Sequence, residues 1–251
     1  MKIVVVGGTG LIGSRLVGAL SHLGHAVVSA SPSSGVNSLT GEGLGEAIEG
    51  ADVVVDVTNA PSFEANAVLA FFETSTANLL KGELAAGVSH HVVLSIVGIE
   101  RLSGGGYFRG KIAQERLIAD SPVPYTIVRA TQFFEFLGGI AEMATEANSI
   151  HLAPVLFQPI AADEVVAFLS RASVGSPANG VVEVAGPRPH RLDELVREYL
   201  TARGDQRRVV TDQKALYSGA QLGERTLLPG HDATLGVVRF EDWLSQRSAS
   251  S

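Results

Sequence analysis

Two sets of residues in this sequence have the types and spacing for chemistry. Gly7, Gly10 and Gly13 recur every three residues within VVVGGTGLIGS, residues 4–14. Farther on, Ser95 precedes Tyr107 by twelve residues (107 − 95), and Lys111 follows Tyr107 by four (111 − 107). A first glycine permits a tight turn. A second lets the backbone approach a ligand with no Cβ between, and a third lets the next helix pack closely on the sheet. Such a turn presents the backbone of Thr9, Gly10, Leu11, Ile12 and Gly13, with the positive end of a helix dipole, to a diphosphate. Tyr107 and Lys111, four apart, share one face of a helix. A free phenol titrates near 10, too high for proton transfer at neutral pH, and a neighbouring ammonium lowers it. The expected roles are Tyr107 as proton donor, Lys111 lowering its pKa and holding ribose hydroxyls, and Ser95 orienting a substrate oxygen. Lys111 acting alone as the base is the alternative.

The elements around these residues place both sets at strand ends. Residues 2–6 (KIVVV) are a continuous apolar run, as in a strand covered on both faces. Residues 11–23 follow with helical spacing and stop at Gly24. Further strands are expected at 25–30, 52–57, 90–97 and 125–130, with helices at 43–49, 63–87 and 107–120. This alternation predicts an α/β fold, a Rossmann-type doubly wound parallel sheet with a small C-terminal substrate-side extension. One domain spans 1–251, in which approximately 131–251 is the extension and 245–251 a frayed tail. The glycine turn follows the first strand and opens a helix, the context of a dinucleotide-binding turn. Tyr107 sits on the first turn of its helix, behind SGGG (103–106), a candidate lid hinge, and Gly110 weakens the helix interior.

GGTGLIG resembles the glycine motif of the short-chain dehydrogenase/reductase superfamily, in its extended and atypical branches, and Ser95, Tyr107 and Lys111 resemble that superfamily's catalytic residues. Lys111-Ile-Ala-Gln-Glu115 and Val123-Pro-Tyr-Thr-Ile-Val-Arg129-Ala-Thr-Gln-Phe133 are similar to the NmrA-like and isoflavone-reductase-like atypical branch. So are Ile160-Ala-Ala-Asp163-Glu-Val-Val and Val184-Ala-Gly-Pro187. The resemblance covers roughly residues 1–200. It implies NAD or NADP bound across the carboxyl ends of the strands, with Asn59 beside the adenosine ribose or serving only as a turn residue. In that branch the lysine is retained more often than the tyrosine, and some members reduce substrates while others sense dinucleotides. Two functions follow. One is an NADP-dependent oxidoreductase transferring hydride between nicotinamide and a small, largely apolar carbonyl or activated alkene. The other is a non-catalytic dinucleotide-sensing regulatory protein.

NADP(H) is favoured over NAD(H) because the region after the second strand, Ser29-Ala30-Ser31-Pro32-Ser33-Ser34, lacks the carboxylate that pairs with a ribose 2′-hydroxyl. Hydroxyls such as those of Ser31 and Ser33 can donate to a 2′-phosphate, although no Arg or Lys follows the strand and Arg15 is the nearest cation by sequence. Gln132, Phe133, Phe134 and Phe136 follow the fifth strand, where they either line a planar, mostly apolar substrate or pack the extension onto the sheet. With no cysteine, thiol catalysis and thiolate metal sites are excluded. The seven histidines show no metal-ligand spacing, and adjacent His90 and His91 face opposite sides of a strand, so no metal is expected. A net charge of −7 disfavours nucleic acid. No apolar run reaches the roughly 18 residues of a membrane span. A soluble, cytoplasmic protein is the expectation. There is neither a G-x-S-x-G elbow nor a phosphate-loop lysine, which argues against hydrolase and kinase chemistry.

Overall fold

The apolar runs become strands β1 (Lys2–Val6), β2 (Ala26–Ala30), β3 (Val53–Asp56), β4 (His90–Ile96) and β5 (Tyr125–Ala130). Between them lie helices α1 (Leu11–His22), α2 (Leu44–Ile48), α3 (Ala65–Ala86) and α4 (Gly106–Ala119). The remainder continues through α5 (Leu137–Met143), β6 (Thr145–Glu146), β7 (Ser149–Leu152), β8 (Leu156–Phe157), α6 (Ala162–Val174) and β9 (Gly180–Ala185). It ends with β10 (His190–Arg191), α7 (Leu192–Ala202), β11 (Arg208–Thr211), β12 (Leu216–Tyr217), β13 (Ala220–Gln221), β14 (Thr234–Leu235) and α8 (Phe240–Ser248). This computed structural model describes residues 1–62, 64–102 and 105–248. Ser103 and Gly104 of the expected hinge, and the last three residues of the expected tail, lie outside the described residues. Ser245–Ser248, within the expected tail, continue α8.

Seven strands form one parallel sheet in the order β14-β9-β5-β4-β3-β1-β2. From β1 the chain steps to β2 on one side and to β3 on the other, the doubly wound, Rossmann-type arrangement. Ligands of such sheets bind beyond the strand carboxyl ends at the point where the order reverses, here between β1 and β3. Chain contacts divide the protein into two compact units. One is Met1–Ser95, Gly106–Arg129 and Val165–Val182; the other is Ile96–Gly105, Ala130–Glu164 and Glu183–Ser251. Among the described residues, no helix is long and apolar enough to cross a membrane.

Register decides what the first unit buries. Val28, Val4, Val54 and His91 form one row across β2, β1, β3 and β4. Two residues on, the row is Ala30, Val6, Asp56 and Val93, so a carboxylate lies in an otherwise apolar row. Leu79 of α3 packs with Val4, Val6 and Val54, and Leu80 and Ile118 pack with Val93 and Ile127. Helices α3 and α4 approach closely because Gly106 and Gly110 face α3: a Cβ at Gly106 would lie 2.3 Å from Ala65 Cβ. One at Gly110 would lie 2.9 Å from Val68 Cγ1 and from Phe72 Cδ2. The helix-weakening Gly110 is thus required by contact between helices.

His90 and His91 do face opposite sides, and each has its own partner. His91 Nδ1 meets Glu83 Oε1 at 2.8 Å, both side chains fully buried. Burial pulls the His91 pKa down, but the Glu83 carboxylate outweighs it and the net shift is upward. His90 Nε2 bonds Thr126 Oγ1 at 2.8 Å, and burial brings its pKa down to about 4. Since the folded value lies below the unfolded one, the unfolded chain takes up this proton first as pH falls. Stability from His90 is therefore lost between pH 6.5 and about 4, by up to about 3 kcal/mol. In a His90→Gln variant, the denaturant midpoint is expected to drop less than in wild type between pH 7 and 5. Equal drops in the two proteins would contradict this assignment.

Candidate functional site

The turn after β1 has the geometry its glycines require. Gly7 adopts φ +82°, and a Cβ there would lie 2.9 Å from Val57 O and 3.0 Å from Thr58 N. The β1 turn therefore touches the chain leaving β3, at the reversal point of the sheet. Gly8, which the sequence reading passed over, is equally constrained, since its Cβ would lie 2.4 Å from Ser29 Oγ. A Cβ on Gly13 would lie 2.1 Å from Gly7 O, so this glycine packs the helix on the turn itself. Gly10 is different: its Cβ would meet only Gly7 O, at 3.4 Å. No protein neighbour explains a glycine there.

Gly10 is the N-cap of α1, no side chain caps the helix, and its first turn has no acidic residue. The N–H groups of Leu11, Ile12 and Gly13 therefore begin a helix with its positive end uncompensated. Thr9, Gly10 and Leu11 are exposed. Thr58, beside the turn, has a buried hydroxyl with no hydrogen-bond partner among the described residues. An uncapped helix end, a glycine facing open space and an orphaned hydroxyl fit a dinucleotide's diphosphate and ribose.

At the end of β2, Ser31 is 3% exposed, and its hydroxyl lies 2.9 Å from that of Ser33. Ser34 accepts the Ser31 N–H at 3.0 Å and donates to Ser29 O at 2.9 Å. Of Ser31 and Ser33, only the latter is exposed, and Arg15 on α1 is half-buried. Asn59 is exposed, and its Oδ1 accepts the N–H of Ala60 at 3.0 Å, a local turn bond.

The residues of the second set divide. Lys111 is 3% exposed; its Nζ donates to Leu94 O at 2.7 Å and to Gln114 Oε1, and lies 4.9 Å from the Phe72 ring centroid. Gln114 Nε2 donates in turn to Asp56 Oδ2 at 2.8 Å. Burial brings the Lys111 pKa down to about 8, against the opposing pull of Asp56 and Glu115. Ser95 Oγ donates to Glu115 Oε1 at 2.5 Å, and Glu115 is held by Arg129 through Nε (3.0 Å) and Nη2 (2.6 Å). The Ser95 proton is thus committed to a carboxylate, leaving acceptor lone pairs to any ligand.

Tyr107 packs edge-on against Phe72 and Phe108, with ring centroids 6.1 and 5.8 Å away. Burial pushes its phenol up to about 12. Lys111 does not offset this shift, whose cause is burial. The i, i+4 spacing brings both side chains to Phe72, but the ammonium bonds inward to the carbonyl of β4 and to Gln114.

In the second unit, Gln132 O accepts the Ile160 N–H at 2.9 Å, and Phe133 forms a parallel bridge with Ile160. Phe133 stacks on Phe136, centroids 5.1 Å apart, and Phe136 is 44% exposed. Phe134 is 1% exposed against Phe240 (5.6 Å) and Trp243 (5.3 Å). It is packing material of that unit. Among the described residues, no group of three or more His, Cys, Asp or Glu side chains could hold a metal ion.

The site residues that sequence reasoning missed are Gly8, Asp56, Thr58, Gln114, Glu115 and Arg129. Several had a visible signal. Asp56 and Arg129 interrupt apolar strands, and Gln114 and Glu115 stand three and four residues beyond Lys111.

A family model described as NAD(P)H-binding matches residues 7–147, more than half of the chain. No curated protein matches the sequence. Among solved structures, a short-chain dehydrogenase/reductase superfamily protein from Agrobacterium tumefaciens with bound NAD is 17% identical, with a TM-score of 0.71 covering 100% of this chain and 97% of that one. RMD from Pseudomonas aeruginosa complexed with NADPH is 17% identical, TM-score 0.66, covering 98% and 97%. The Bordetella bronchiseptica enzyme WbmG in complex with NAD is 16% identical, TM-score 0.70, covering 99% and 93%. Likeness at these identities establishes the fold, and both nicotinamide dinucleotides occur among these structures.

Proposed function

Because this chain belongs to the NAD(P)H-binding family, we propose that it is an NADP(H)-dependent oxidoreductase in which Lys111 carries the proton that accompanies hydride transfer. The observation that carries this reading is the buried Lys111 ammonium beside the carboxyl end of β4, with its pKa brought down to about 8. A group titrating there can give and regain a proton near neutral pH; a phenol at about 12 does so far less readily. When bound, reduced nicotinamide supplies a hydride. The chain's own part is to hold the diphosphate on Thr9–Gly13, keep water from Lys111, and deliver a proton from its Nζ to the substrate atom that becomes electron-rich. The hydroxyls closing β2, with no carboxylate among Ser29–Ser34, support NADP over NAD. The substrate in this reading is a small, largely apolar carbonyl compound or activated alkene.

A second reading is a dinucleotide sensor without chemistry. It is favoured by the commitment of both the Ser95 hydroxyl and the Lys111 ammonium to protein acceptors. Calorimetry with NADPH and NADH, followed by NADPH consumption against small apolar aldehydes, ketones and enones, separates the two. NADPH is expected to bind at least about tenfold tighter than NADH, with turnover of some member of the panel. Tighter NADH binding overturns the cofactor preference. Tight binding with no turnover, and NADP⁺ distinguished from NADPH by affinity, establishes the sensor.

A further inference from the structure

We propose that Gln114 is a positioning residue for Lys111, locked into a single amide orientation by Asp56, so that this pair sets how firmly the ammonium is held. The role matters for function through the reading of Lys111 as proton carrier, but the lock is a property of the chain alone. Asp56 Oδ1 accepts the Thr58 N–H at 2.8 Å, which fixes the carboxylate and leaves Oδ2 toward Gln114. An ionised carboxylate only accepts, so the amide nitrogen must face it, at 2.8 Å. The amide oxygen is thereby turned onto Lys111 Nζ. Asp56, Gln114 and Lys111 are 1%, 0% and 3% exposed, so solvent does not readily replace a lost partner.

Among the described residues, the charged groups around Lys111 are few. Asp56 faces it from β3. Glu115 of α4, ion-paired with Arg129 of β5, acts on it from its own helix. His91 of β4 is paired with Glu83 of α3. Of these, Asp56 alone reaches the ammonium through a directional intermediary.

Asp56→Asn inverts the lock. The Thr58 N–H retains the new amide oxygen, so the amide nitrogen faces Gln114. Gln114 must then turn its oxygen to that nitrogen and its own N–H groups to Lys111. Donor would meet donor, and the charged lysine would lose its side-chain acceptor. Asp56→Asn/Gln114→Glu restores the polarity, because a carboxylate at 114 accepts from both neighbours.

The sequence has four lysines, Lys2, Lys81, Lys111 and Lys214, so an NMR titration of ¹³Cε-labelled lysine, assigned with Lys111→Met, resolves Lys111 without any substrate. In Asp56→Asn its pKa is expected to fall by about one unit or more from wild type, and in the double variant to return to the wild-type value or above. Gln114→Met keeps the Asp56 charge and the side-chain volume, so a fall of similar size there separates the lock from charge acting through space. Gln114→Met also decides the matter should Asp56→Asn fail to fold. An unchanged Lys111 titration in folded Gln114→Met, or a folded double variant as low as Asp56→Asn, overturns the proposal. Failure of wild type to turn over any carbonyl would overturn the proton-carrier reading and leave these titrations as they stand.

Discussion

Gly10→Ala is expected to leave the fold intact and to weaken dinucleotide binding about 100-fold, whereas Gly13→Ala loses both. At Gly10 the backbone is at φ −77°, which any residue adopts, and the added methyl meets only Gly7 O at 3.4 Å. The stability change should therefore lie within about 0.5 kcal/mol. The same methyl occupies the space in front of an uncapped helix end, where the diphosphate must approach for its oxygens to reach the peptide hydrogens. At Gly13 the methyl would lie 2.1 Å from Gly7 O and 2.8 Å from Gly8 Cα. All of these atoms are backbone, and Gly7 is already in the left-handed region, so the turn cannot yield without losing its shape. Overpacking of this kind costs about 1–3 kcal/mol, more where backbone opposes backbone. Denaturant midpoints with NADPH and NADH calorimetry on both variants check the pair. Undiminished binding by Gly10→Ala would remove the diphosphate from this turn.

The contrast between these two glycines shows what could be read from the chain. The turn was legible because three glycines at fixed spacing directly follow an apolar strand, two of them, Gly7 and Gly13, answering to local backbone requirements that a sequence displays directly. The parallel sheet was legible for the same reason, through continuous runs such as KIVVV. What Lys111 does was not. Its environment depends on Asp56, which reaches it only because the register of β3 on β1 and β4 puts that carboxylate in the row of Val6 and Val93. It depends also on how near α4 comes to α3, which is set by Gly106 and Gly110 against Ala65, Val68 and Phe72. Local periodicity places Tyr107 and Lys111 on one helix face, but cannot say which neighbours the ammonium finds at the end of its stem. The spacing pointed to a phenol activated by an ammonium; packing instead dried the phenol and drew the ammonium to a carbonyl. Phe134 is a similar case, since only tertiary contact with Phe240 and Trp243 separates a core aromatic from a pocket wall.

Lys111→Met is expected to lower NADPH turnover by about 10²–10⁴-fold while Tyr107→Phe keeps it within about threefold. Reduction requires the protonated amine, so wild-type activity should decline as pH rises through about 8, whereas oxidation of the corresponding alcohol should gain over the same range. Stability follows the same proton with its own sign. The folded pKa, about 8, lies below the unfolded 10.5, so between these values the unfolded chain retains a proton that the folded one has released. Wild-type stability therefore rises with pH across that window, by on the order of 3 kcal/mol, and the penalty for burying the charge is present in full below it. Lys111→Met has no such proton, and its stability should lack this rise. Coincident pH dependence in the two proteins would place the titrating group elsewhere. Tyr107→Phe decides between the two proton donors, because it removes a hydroxyl whose pKa is about 12 and leaves the ring against Phe72 and Phe108. If its turnover collapses as far as that of Lys111→Met while NADPH still binds, the phenol gives the proton and the lysine only holds the ribose.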